Sequence, residues 1–151
     1  MPNQRLALAF LLLVLTGCAD NDNSGPATVS QTSASTPKLS DRIHFVESYV
    51  NFRREYNELE YNIVYHNNSS RLSAPGPSDW NIILIAKVPP DQIEQWVLPK
   101  TLDEGVPKPV WHKEAAREID VSSVDEWYTD GNRTIGLDRA RSIIVYRNTT
   151  L

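Results

Sequence analysis

Polar residues able to do chemistry concentrate in one stretch of this chain. His66-Asn67-Asn68-Ser69-Ser70-Arg71 ends one predicted strand, and Asp79 stands just before the next. An imidazole and a carboxylate within hydrogen-bond reach form a general acid–base pair. A hairpin closing this loop would set His66 against Asp79 as weak catalytic candidates. The same residue types also make solvated turns. Asn67, Asn68, Arg71 and Asp79 are therefore binding candidates too, because contact residues favour loops on rigid scaffolds. Trp127 and Tyr128 join them as an adjacent ring pair able to anchor a ligand or partner. The remaining histidines, His44 and His112, share no metal-ligand spacing with His66, so no metal site is expected. The chain has six glycines and no Gly-Xaa-Ser-Xaa-Gly, phosphate-loop or His-Glu-Xaa-Xaa-His motif, so no cofactor is expected either.

The single cysteine stands apart from all of this. Met1-Pro2-Asn3-Gln4-Arg5 leads into an unbroken apolar run of ten residues, Leu6 to Leu15, followed by Thr16, Gly17 and Cys18. A positive n-region, an apolar h-region and a small-residue processing site make a secretory signal. As a helix the run would cover about 15 Å at ~1.5 Å per residue, and a bilayer core needs ~20 apolar residues. The run is too short to remain as a transmembrane anchor.

Leu15-Thr16-Gly17-Cys18 resembles the lipobox of bacterial lipoproteins. The resemblance covers the first eighteen residues and implies that residues 1–17 are a cleaved signal peptide. It also implies that Cys18 carries a diacylglycerol on its thiol, with acylation (palmitate or a similar chain) of the new amino group. One acyl chain holds a protein only marginally, whereas two or three hold it stably, at roughly 0.8 kcal/mol per buried CH2. The membrane is thus the first expected partner. In lipoproteins of two-membrane bacteria, Asp after the cysteine retains the product in the inner membrane. Here that residue is Ala19, which points to the outer membrane, facing the periplasm.

Composition narrows the rest. Loss of residues 1–17 removes one charge, Arg5, and takes the net charge from −4 to −5. This mildly acidic chain lacks the basic footprint of a nucleic-acid binder. With Cys18 modified, no thiol remains for a disulfide or a metal. Residues 18–38 are small and polar, with one valine and no aromatic, and are expected to form a flexible tether with an r.m.s. span of roughly 25 Å. Residues 39–151 are expected to form one domain.

Within that domain, Leu39, Ile43, Val46 and Val50 repeat at helical spacing beside a stripe of Phe45, Tyr49, Phe52 and Tyr56, which predicts a long helix over 39–55. Alternation predicts strands at 61–66 and 80–88. The second is apolar on both faces, as a central strand should be. Pro89-Pro90 stops it and opens a short helix carrying Ile93, Trp96 and Val97. Residues 98–109 read as proline-rich loop and 111–119 as a second short helix. Three strands, 126–129, 134–138 and 142–148, finish the chain, with Asp130-Gly131-Asn132 and Arg139-Ala140-Arg141 as turns. The expected fold class is α+β, a mainly antiparallel sheet of about five strands packed by one long N-terminal helix and one or two short helices. Trp80 and Trp96 fit the core, while Trp111 and Trp127, in elements the pattern defines less sharply, are candidates for exposure.

The functional expectation is a membrane-anchored envelope lipoprotein acting as a non-catalytic binding or interaction module for an envelope protein or glycan. The alternatives are an envelope hydrolase using His66 and Asp79, and an inhibitor or immunity-type envelope protein.

Overall fold

The computed structural model describes residues 27–68, 78–97, 103, 104 and 106–150. Residues 1–17, expected to be a signal peptide, Cys18 and Arg71 lie outside the described residues. The fold is α+β, built on one antiparallel sheet. Its strands are β1 (Ala27–Thr32), β2 (Glu58–Asn67), β3 (Asp79–Lys87), β4 (Asp103–Glu104), β5 (Glu126–Thr129), β6 (Arg133–Asp138) and β7 (Ile143–Thr149). They lie in the order β1-β2-β3-β7-β6-β5-β4. Helix α1 (Leu39–Glu47) crosses one face, and 3-10 turns at Ser33–Ser35, Pro90–Trp96 and Trp111–Glu114 fill connections.

β3 is central because it is apolar on both sides. Ile82, Leu84 and Ala86 enter a core with Val46, Leu59, Tyr61, Ile63, Trp96 and Tyr146 under α1. Ile83 and Ile85 enter a second core on the opposite face, with Ala115, Ile119, Val121, Val124 and Trp127. That second layer is no helix but the irregular strap 106–125. The β5–β6 hairpin turns at Gly131, whose φ of +89° suits glycine. The β6–β7 turn has no glycine. Ser142 takes the left-handed conformation there, at φ +55°, and the buried Asp138 accepts the Arg141 N–H at 3.0 Å to hold the turn.

Four expectations need correction. The sheet has seven strands rather than about five. Ala27–Thr32, placed by composition in the flexible tether 18–38, is strand β1, paired along its whole length with β2. A strand recruits partners through its backbone, which composition does not register. Gln31 and Thr28 add side-chain bonds, Gln31 Nε2 to the Tyr61 hydroxyl at 3.0 Å and Thr28 Oγ1 to His66 Nδ1 at 2.8 Å.

The long helix stops at Glu47 after nine residues. Ser48-Tyr49-Val50-Asn51-Phe52 is a run of weak helix formers, and Ser48 Oγ donates to the Phe45 carbonyl at the helix end. The apolar pattern continues past Glu47 because an irregular segment still crosses the sheet. The second short helix reduces to Trp111–Glu114, because the next N–H groups bond elsewhere. Arg117 and Glu118 donate to the carboxylate of Glu60 at 2.8 and 2.6 Å, and Ile119 donates at 3.4 Å.

Candidate functional site

Where α1 ends short of β3, the helix-bearing face opens into a cleft of about 310 Å³. Register explains its floor. Tyr65 of β2 lies directly opposite Trp80 of β3, and Ile82 lies opposite Asn148 of β7, all on one face with Tyr146. Directly paired residues on adjacent strands project from the same side of a sheet. The wall is the segment after α1, with Tyr49, Asn51 and Phe52.

The rings hold one another at angles. Tyr49 and Tyr65 have centroids 5.6 Å apart at 59°, and Phe52 and Tyr146 are 5.4 Å apart at 75°. Such tilted contacts are the favoured aromatic geometry. The polar groups form a short chain. Trp80 Nε1–H donates to Asn148 Oδ1 at 3.0 Å, and Asn148 Nδ2 donates to the Tyr146 hydroxyl at 3.1 Å. Burial holds the Tyr146 phenol above its ordinary pKa, so it stays neutral. The Tyr49 and Tyr65 hydroxyls and the Asn51 amide make no hydrogen bond among the described residues. Among the described residues no charged side chain lines the cleft.

The opposite face carries a second cavity, of about 500 Å³, bordered by Lys108, His112, Lys113, Arg117, Asp120 and Ser122. His112 is buried, with its ring 6.4 Å from Trp111 and 5.7 Å from Trp127. Its Nδ1 lies 2.6 Å from the Pro109 carbonyl. A carbonyl only accepts, so Nδ1 carries the hydrogen. Burial first, then nearby Lys108 and Lys113, hold the imidazole below its ordinary pKa, against the raising effect of the Pro109 bond. Two of the charged groups around this cavity are engaged. Lys108 donates to the Ser122 carbonyl at 3.0 Å, and Asp120 pairs with Arg141 at 3.0 Å. No group of His, Cys, Asp and Glu among the described residues could hold a metal ion.

No protein-family model, curated protein or solved structure matches this chain. The site must therefore be read from its own residues.

The sequence candidates are brought together only in part. His66 and Asp79 are cross-strand partners at the end of the β2–β3 hairpin, yet no hydrogen bond joins them. The His66 ring bonds Thr28, and Asp79 is 3.4 Å from both Asn68 Nδ2 and Thr150 Oγ1. Both residues are exposed, and neither borders the two cavities described above. Each of the two side chains is thus held by partners other than the other. Asn67 closes the β1–β2 ladder opposite Ala27.

Trp127, a candidate for exposure and ligand contact, is buried at 3 %. Its ring faces Trp111 at 6.2 Å beneath the strap. Gly136 lies opposite it in β6, and a Cβ there would meet the indole at 2.6 Å. Tyr128, one residue on, points to the other face, half-buried, and donates to Glu126 Oε2 at 3.0 Å. The two adjacent rings therefore never share a surface. Trp111 is half-buried, with the Arg147 guanidinium 5.4 Å from its ring.

The cleft itself escapes sequence reading. Its residues come from the helical stripe and from three strands, β2, β3 and β7. The one available signal is the hairpin register: closing the hairpin with His66 against Asp79 sets Tyr65 against Trp80.

Proposed function

We propose that this chain is a lipid-anchored, non-catalytic envelope protein that binds a partner through the aromatic cleft, held to the outer membrane by acyl chains on Cys18 and facing the periplasm. The cleft carries the binding half of this reading. There, among the described residues, several rings and uncharged polar groups from separate elements converge on open space, the usual composition of a recognition site. The lipobox resemblance at Leu15-Thr16-Gly17-Cys18 carries the anchoring half. With β1 in the sheet, nine residue steps separate Cys18 from Ala27, a reach of at most about 30 Å at ~3.3–3.6 Å per residue. The domain then works close to the membrane surface.

Two experiments test the two halves. Cys18→Ala is expected to abolish labelling by a palmitate analogue, and persistent labelling of that variant counts against the anchor. A photo-reactive residue at exposed Asn51 is expected to capture a defined envelope component, identified by mass spectrometry, while the same residue at Ser123 on the opposite face captures none. Equal capture at both positions, or none at Asn51, removes the cleft as the contact surface.

A further inference from the structure

We infer that the cleft takes a pyranose ring of an uncharged glycan whose ring substituents are all equatorial. This rests on the cleft being the binding site, as proposed above, and adds the class of ligand.

Four observations converge. First, the cleft presents aromatic carbon from three segments, Tyr49 and Phe52 after α1, Tyr65 on β2 and Trp80 on β3. Aromatic faces are negative and attract weakly positive C–H bonds. In an all-equatorial pyranose every ring C–H is axial, so both faces of the sugar are apolar C–H surfaces while its rim is hydroxyl.

Second, the polar groups are of the kind that meet hydroxyls. The Asn51 amide and the Tyr49 and Tyr65 hydroxyls are uncommitted among the described residues. Asn148 and Tyr146 sit in a chain that begins at the Trp80 indole N–H. With Asn148 Nδ2 donating to its oxygen, the Tyr146 O–H keeps its own hydrogen to give. Amides and phenols both donate and accept, as a sugar rim requires.

Third, charge argues against ionic ligands. Among the described residues no lining side chain is charged, and Arg133, which lies opposite Asn148 at the cleft's edge, is already paired with Asp130 at 2.5 Å, so an anion finds no uncommitted cation among them. A quaternary ammonium would use the rings by cation–π attraction but would gain nothing from Asn51, Asn148 or Tyr146.

Fourth, β3 and β7 are both interior strands, paired on each side. A peptide cannot add to them by backbone bonding, and a volume of about 310 Å³ lies at the small end of the ~300–1,000 Å³ typical of ligand sites. One ring fits that description better than an extended chain.

The test is a titration of the full chain in detergent micelles with cellotetraose and with tetra-N-acetylchitotetraose, which share all-equatorial rings. A β-1,4-galactan oligosaccharide, with one axial ring substituent (the C4 oxygen) per ring, and choline serve as comparisons. Tryptophan fluorescence and the side-chain amide resonances of Asn51 and Asn148 are the readouts. At least one all-equatorial oligosaccharide is expected to saturate both signals, with the galactan weaker. Asn51→Ala, at an exposed position that leaves the fold intact, is expected to weaken binding about threefold or more. Trp80→Phe, which keeps a ring but loses the Asn148 bond, is expected to weaken it about tenfold.

No saturation by either oligosaccharide up to ~10 mM overturns the inference, as does choline binding in their place or galactan binding more tightly. If that failure comes with capture of an envelope protein at Asn51, the binding-module reading survives and only the ligand class falls. If nothing is captured either, both fall.

Discussion

Glu60 sits in β2 between Leu59 and Tyr61, which enter the core under α1, so its own side chain projects to the opposite face. There it ends a row across the sheet, Trp127, Gly136, Val145, Ile85 and Glu60, each directly paired with the next. It is 2 % exposed, and its carboxylate takes three successive backbone N–H groups of the strap. Consecutive N–H groups gathered on one anion form a small nest. This one replaces a helical turn as the means of fixing 117–119. Hydrogen bonds to charged groups contribute roughly 1.5–3 kcal/mol, and stranding buried donors costs a similar amount. Glu60→Gln should therefore lower stability in urea by about 2 kcal/mol. Amide exchange should accelerate at Arg117 and Glu118 well before the sheet opens. Unchanged exchange at those two amides in the variant would remove Glu60 as the clamp. In the sequence, an acidic residue inside an apolar alternation was the only sign of it, and its partners stand 57 to 59 residues away.

At the level of elements, β1 separates what sequence can show from what it cannot. Strands β3, β5, β6 and β7 announce themselves by alternation or by apolar runs bounded by turn residues, and their predicted bounds fall within a residue or so of the observed ones. β1 has neither signal. Its residues Ala-Thr-Val-Ser-Gln-Thr would not hold a strand alone, and they do so because β2 presents a free edge. The short span of α1 and the loss of the second helix have the same origin, tertiary partners overriding a periodic pattern. The cleft was illegible for a related reason. Its rings were each visible, but Tyr49 and Phe52 were assigned to a helix face and Trp80 to the core, and only the early end of α1 puts them around one space. If β1 is a true member of the sheet, a chain starting at Ser33 should be less stable than one starting at Ala19 by about 2 kcal/mol or more, given net values of ~0.5–1.5 kcal/mol per hydrogen bond. Its β2 amides should also exchange faster. Coincident urea midpoints for the two chains would show that 27–32 adds nothing to the fold.

For the whole molecule, the sheet is a plate with unlike layers, aromatic and helical on one side, a strap wedged by Trp111, His112 and Trp127 on the other. The strap layer should make stability depend on pH through His112. Its folded pKa lies below the ordinary value, chiefly through burial, and in the unfolded chain it returns to about 6.5. Above pH ~6.5 the imidazole is neutral in both states, and its burial carries no protonation cost. As the pH falls below that value the unfolded chain takes up the proton first, so stability declines until the pH drops below the folded pKa. One proton sets the limit at about 1.4 kcal/mol per pH unit. Asp120 does not confuse this window. The Ser122 backbone and hydroxyl, then Arg141, hold it below the usual carboxylate value, so its contribution is present above about 3.8 and is lost only further into acid. Urea midpoints should therefore be level from pH 8 to 7 and fall between about 6.5 and 5. In His112→Asn, whose amide can still donate to Pro109, the midpoint starts lower but the slope across that window should flatten. The slope and not the starting value is diagnostic, because any change at a buried ring costs packing. An equally steep decline in His112→Asn would assign the acid sensitivity to other groups.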